Sequence, residues 1–135
     1  ARTDAREAYG IEEAIARGIQ YRDAGADIIF VESPESESEF AQIGQRLDVP
    51  LLANMVEHGR SPILPTETLI RFGFSIAIYP GTAMAAAAAA LKSSYQHIKD
   101  TGSTLGSKTP LLPIPELHDL MGFEDVWEFD KRWAD

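Results

Sequence analysis

The 135-residue chain has no cysteine, which excludes a disulfide framework, a zinc-thiolate site and a cysteine nucleophile within it. Positive charge is also scarce: 12 Lys and Arg stand against 21 Asp and Glu, a net charge of −9. That balance makes a nucleic-acid phosphate backbone a poor partner. No apolar run reaches the ~18 residues of a membrane span, and no basic-then-apolar leader pattern occurs. A soluble, cytoplasmic globular protein is therefore the expectation. The length suits one ordinary domain, since domains run at roughly 100–200 residues. The first residues, Ala1-Arg2-Thr3-Asp4, lack an initiator methionine and read as the end of a preceding element, so a fragment of a longer protein is expected.

What is present is an alternation of strand and helix. Ile11, Ala14, Ile15, Ile19 and Ala24 recur at helical spacing, and Gly25 follows where a left-handed glycine closes a helix. Asp27–Val31 is a short, unbroken apolar run, the pattern of a parallel strand covered on both faces. Ser36 and Glu39 form a capping box ahead of a stripe of Phe40, Ile43 and Leu47. Pro50–Asn54 reads as the next strand, Thr66 as the cap of a helix through Arg71 ended by Gly73, and Ser75–Tyr79 as another strand. The alanine-rich stretch from Gly81 to Lys99 is a strong helix former.

Strands thus recur about every 24 residues with one helix between them, which predicts an α/β fold with a parallel sheet, doubly wound or closed as a (β/α)8 barrel. A whole barrel takes ~250 residues, so this chain supplies about half. Residues 1–109 are assigned to the βα units and 110–135 to a C-terminal helical arm. Within the arm, Leu117, Leu120, Phe123, Val126, Trp127 and Phe129 form an apolar face that calls for a partner surface.

In parallel α/β folds ligands lie beyond the carboxyl ends of the strands. The residues standing there are Arg2, Thr3 and Asp4; Glu32 and Ser33; Asn54 with Glu57 and His58; and Tyr79 and Pro80 with Thr82. A guanidinium that can grip a carboxylate, a neutral amide and carboxylates together suit a small polyanionic acid handled with a divalent metal.

The segments ARTDA (1–5), GADIIFVES (25–33), LLANMVEHGRSP (51–62), GFSIAIYPGTA (73–83) and MGFEDVWEFDKRWA (121–134) resemble, in order and spacing, motifs of the isocitrate lyase/phosphoenolpyruvate mutase superfamily. NMVEHG followed by Ser-Pro resembles the oxaloacetate decarboxylase and 2,3-dimethylmalate lyase branch. Methylisocitrate lyases show an NMTEFG-like version and an arginine shortly after the Tyr-Pro pair, where this chain has Ala85. A tricarboxylate substrate is accordingly disfavoured.

The resemblance implies the C-terminal half of a (β/α)8 barrel enzyme. Such an enzyme depends on Mg2+ (or Mn2+) and makes or cleaves C–C or P–C bonds beside a 2-oxo acid, through an enolate. It implies that Arg2 holds substrate carboxylate, that Glu32 lies in the pocket and that Asn54 donates to a substrate oxygen. Glu57 and His58 become candidates for proton handling. It also implies that the metal ligands and a mobile catalytic loop lie upstream, so no metal ligand is assigned here and this chain alone is expected to be inactive. The expected partners are a small dicarboxylate or 2-oxo acid and a second copy of the chain through the helical arm, with no nucleic acid and no membrane.

Plainer readings accompany each assignment. Arg2 and Asp4 also read as a salt bridge at a strand end, and Asn54 as a turn residue. Glu35, Glu37 and Glu39 read as a solvated helix start. For His58, neutral hydrogen bonding is the favoured role over proton transfer. Tyr79 is assigned to the core, Ala85–Ala90 to a close-packing helix face, Trp127 and Trp133 to packing, and His97 and His118 to the surface. Two further functions stand beside the lyase: phosphonate P–C chemistry within the superfamily, and a non-catalytic half-barrel serving assembly, suggested by the sheet edges and open face that half a barrel leaves.

Overall fold

The computed structural model describes residues 1–134. A parallel sheet is formed by β1 (Arg2–Thr3), β2 (Ile29–Val31), β3 (Leu51–Asn54) and β4 (Phe74–Ile78), hydrogen-bonded in the order β1-β2-β3-β4. The helices are α1 (Ala5–Asp23), α2 (Glu37–Arg46), α3 (Thr66–Arg71), α4 (Thr82–Thr101), α5 (Ile114–Leu120) and α6 (Phe123–Trp133). Packing divides the chain into a unit spanning Ala1–Ala87 and a second unit beginning at Ala88.

Strand order and helix placement choose between the two architectures left open by the sequence. A doubly wound sheet reverses its order at a switch point and carries helices on both faces. Here the order is strictly sequential, and α1, α2 and α3 send Ala14, Ile15, Phe40, Ile43 and Leu69 into one core with Ile29, Val31, Leu51 and Ala53. The unit is therefore a segment of barrel wall. On the other face Phe30 and Leu52 are only half-buried. The expectation that β2 is covered on both faces is met on the helix side alone, because no second layer of these residues reaches the opposite face.

Local chemistry explains the boundaries. Gly10 interrupts α1 at φ 84°, ψ 175°, a conformation essentially restricted to glycine, so the helical stripe starting at Ile11 is the second of two helical stretches. At its end the N–H groups of Gly25 and Ala26 donate to the carbonyls of Arg22 and Tyr21, the paired bonds of a glycine-closed helix. Ser36 caps α2 by accepting from the Glu39 N–H. The return half of the box is different: the Glu39 carboxylate accepts from the N–H of Glu35, not Ser36. Thr66 is the first helical residue of α3 and Pro65 its cap, so the side-chain cap assigned to Thr66 is not formed.

Three packing assignments are corrected. Tyr79 is 45% exposed, because it follows β4 at the sheet edge. Ala85–Ala90 are exposed along α4, which has no buried residue. Trp133 is exposed on α6, and Trp127, though it meets the His118 ring edge-on at 5.4 Å and Phe123 at 6.0 Å, is itself as exposed as Tyr79.

The tightest packing lies between α2 and the chain leaving α3. A Cβ built on Gly44 would stand 1.6 Å from the carbonyl oxygen of Phe72. That contact is to backbone, which cannot rotate away. Gly44→Ala is expected to destabilise the protein by about 3 kcal/mol, at or above the upper end of ordinary overpacking costs. Urea unfolding measures this, and an unchanged midpoint would contradict the packing described.

Candidate active site

The parallel register aligns side chains from neighbouring strands in layers. Arg2 pairs with Phe30 and Phe30 with Leu52, so these three share the face turned away from the helices. Two residues further along each strand, at the carboxyl ends, the same face carries Asp4, Glu32 and Asn54. Sequence positions 2, 32 and 54 are thereby brought within side-chain reach.

The contacts bear this out. Asn54 Nδ2 lies 3.4 Å from Glu32 Oε2, as its donor, and the Arg2 guanidinium lies 3.6 Å from that same oxygen. Arg2 also donates to Asp4, at 2.6 Å through Nη2, and lies 4.9 Å above the centre of the Phe30 ring. Its hydrogen bond to Asp4 raises its own pKa and holds the Asp4 carboxyl below the usual range. Both the salt-bridge and the site reading of Arg2 are thus compatible with the geometry. Glu32 is further held by Ser33, whose hydroxyl donates to Oε1 at 3.1 Å. Ser33 itself sits at φ 58°, an uncommon value for a non-glycine residue and one that clusters at functional sites. Asn54 Oδ1 is buried without a partner among the described residues.

Glu32, Ser33, Asn54, Val56, Gly59, Arg60 and Ser61 line a cleft of about 210 Å3. Ser33 belongs to the strand-end set expected from the sequence, whereas Arg60 and Ser61 do not. The position of these two on the loop after β3 was the available signal, but a serine or arginine on a loop is ordinary surface chemistry until the fold places it.

Glu57 and His58 lie elsewhere. With Val56, Gly81, Thr82 and Ala85 they line a second cleft of about 260 Å3, which shares only Val56 with the first. Glu57 accepts a 2.6 Å hydrogen bond from the Thr82 hydroxyl, which lowers its pKa below the ordinary carboxyl value. It is therefore ionised at neutral pH, a proton acceptor and not a donor. His58 is exposed at φ 60° and makes no side-chain hydrogen bond among the described residues.

The loop that carries Glu32 is anchored from behind. Arg6 at the start of α1 forks onto Glu39, at 2.7 Å and 3.0 Å, and reaches Glu35 at 2.9 Å. Arg6 and Glu39 are largely buried, with side chains 18% and 14% exposed. Bidentate pairing of this kind fixes orientation as well as adding energy. Glu35–Glu39 is therefore not simply a solvated acidic face; Glu39 is an anchor.

A parallel barrel wall with polar groups converging at its carboxyl ends defines the class: a (β/α)8-type α/β protein. The family model described as phosphoenolpyruvate phosphomutase matches residues 1–99, and the chain belongs to that family. The 2,3-dimethylmalate lyase of Eubacterium barkeri is 42% identical over 99% of this chain and 46% of its own length. The 2-methylisocitrate lyase of Bacillus subtilis is 40% identical over 99% and 44%. Among solved structures, oxaloacetate acetylhydrolase with its product oxalate superposes at a TM-score of 0.86, with 34% identity, over 100% of this chain and 46% of that one. A 2,3-dimethylmalate lyase, a PEP mutase/isocitrate lyase superfamily member, superposes at 0.83 with 34% identity, over 98% and 46%. The chain spans about half the length of the curated relatives it matches, the C-terminal half of the barrel.

The anchor predicts a pH dependence. The Arg6 hydrogen bonds hold the Glu39 carboxyl below its ordinary 4.5. Stability from this pair is fully present above that ordinary value and is lost as pH falls through the lowered one. Glu39→Gln is expected to cost about 1.5–3 kcal/mol at pH 7, the range for hydrogen bonds to charged groups. The gap to the parent protein is expected to close in acid. Chemical denaturation at pH 7 and pH 3 checks this; a pH-independent gap would contradict it.

Proposed function

We propose that this chain forms the carboxylate-binding side of a carbon–carbon lyase or decarboxylase for a small 2-oxo or 2-hydroxy dicarboxylate, working through an enolate. One observation carries the reading: Arg2, Glu32 and Asn54 converge at the carboxyl ends of adjacent parallel strands. Relatives named as lyases at 40% and 42% identity support the reaction class. Those two identities are too close to choose between substrates. The chemistry of the residues favours the dicarboxylate, because Ala85 offers no cation to a third carboxylate.

In this reading Arg2 grips one substrate carboxylate with guanidinium donors that Asp4 and Glu32 leave free, while Asn54 turns its amide donor to a substrate oxygen. Glu32 sets the orientation of both. Glu57, whose carboxylate accepts from the Thr82 hydroxyl, and His58 line the neighbouring cleft, so in this reading they handle a proton only if substrate extends past Val56 into it. The divalent metal implied by the family does not fit the residues here. Among the described residues no group of three or more His, Asp or Glu side chains is placed to hold one, and Glu32 in the cleft already faces Arg2. Its ligands would belong to other residues, and no step is assigned to it. Phosphonate P–C chemistry is the second reading, supported by the description of the family model.

In the intact enzyme Arg2→Ala is expected to lower kcat/KM by at least ~10²-fold, since a desolvated charge-assisted contact is worth about 3 kcal/mol. Steady-state kinetics with oxaloacetate and dimethylmalate provide the test, and near-wild-type values would remove Arg2 from the site. Loop 55–65 is pinned at its ends by buried Met55 and Leu64 but exposed from Glu57 to Arg60. Oxaloacetate with Mg2+ is expected to protect it from limited proteolysis. Equal cleavage with and without ligand would show that the loop does not order.

A further inference from the structure

A dicarboxylate carries two negative charges at opposite ends, and Arg2 answers only one. The remaining arginines of the strand–helix unit are committed to its outer surface: Arg6 to Glu35 and Glu39, Arg17 to Glu13, Arg22 to Asp23 and Asp48, Arg46 to Glu12, and Arg71 to Thr68 and Glu37. Arg60 differs. It is the cation among the residues lining the cleft that holds Glu32 and Asn54.

Its present partner is weakly held. Arg60 Nη2 meets Glu7 Oε1 at 2.5 Å, across the 53 residues between the first stretch of α1 and the loop after β3. The two side chains are 52% and 62% exposed. Exposed pairs of this kind contribute little and are readily exchanged. Nε and Nη1 of Arg60 make no hydrogen bond among the described residues, so the fork keeps free donors while Glu7 occupies the third nitrogen. Among the described residues the loop is buried at Met55 and Leu64, its Gly59 N–H closes a tight turn onto the Val56 carbonyl, and Glu57 accepts from Thr82, while Arg60 has no tie but Glu7. Glu32, the carboxylate that would oppose an incoming anion, is already faced by Arg2 and Asn54.

We propose that Arg60 is the second carboxylate anchor of the site, a specificity-determining residue that exchanges Glu7 for the distal carboxylate of a dicarboxylate. This rests on the function proposed above and names what selects two carboxylates over one. Glu7 acts as the competitor that Arg60 leaves when substrate arrives, so the α1 start and the β3 loop separate on binding.

The test is calorimetric titration of the intact enzyme with malonate, a plain dicarboxylate, and with pyruvate, a monocarboxylate. Arg60→Gln is expected to weaken malonate at least tenfold and pyruvate less than twofold, and Arg60→Lys to recover part of the malonate affinity. Glu7→Gln, which frees Arg60 without touching the cleft, is expected to tighten malonate. Malonate binding unchanged by Arg60→Gln, or both acids weakened equally, would overturn the proposal while leaving the proposed function standing. Failure of the parent enzyme to bind either acid would overturn that function, and this inference with it.

Discussion

The constraint on which the molecule depends is the register of its parallel strands. A slip of one residue between β1 and β2 would turn Arg2 into the helix-covered core and bring buried Thr3 to the open face, exchanging a charge for a packed side chain. Burying an unpaired guanidinium is prohibitive, so the apolar set Ile29, Val31, Leu51 and Ala53 and the polar set Arg2, Glu32 and Asn54 enforce each other. The core side fixes the register and the open side inherits the site. The chemistry at the strand ends is therefore a by-product of packing on the opposite face.

Around that frame the charges are distributed by burial. Where Arg6 and Glu39 are nearly enclosed, the pairing is bidentate and holds the loop that presents Glu32. Where Arg60 and Glu7 are open to water, a single contact joins a tethered loop to a helix start. The first kind is structural because breaking it strands a charge away from solvent. The second can be exchanged because water and screening make its partners nearly interchangeable. A chain with an excess of acidic residues thus keeps its few arginines in distinct roles set by exposure, and the two proposed to meet an anion, Arg2 and Arg60, are about half exposed.

Much of this was legible in the sequence. Helical spacing located Ile15, Phe40 and Ile43, all of which are buried, and Gly25 marked a helix end formed as read. The strand-end rule collected Arg2, Glu32 and Asn54, and the fold brings them together. It could not separate Glu57 and His58 from that group, since a turn after Asn54 sends them to another cleft and chain proximity does not encode the direction of a turn. Nor could it see Arg6 with Glu39 or Arg60 with Glu7, because such pairs depend on how elements distant in sequence are set against each other. Tyr79 and the alanine run were misplaced for a related reason. Apolarity predicts that a residue wants cover, not that the described residues provide it.

The most direct measurement is a crystal structure of the intact protein with bound oxalate. A carboxylate is expected within hydrogen-bond distance of both the Arg2 guanidinium and the Asn54 amide nitrogen, with Glu32 still bridging the two residues. Oxalate bound elsewhere, with Arg2 remaining closed on Asp4 and the cleft beside Glu32 empty, would contradict it.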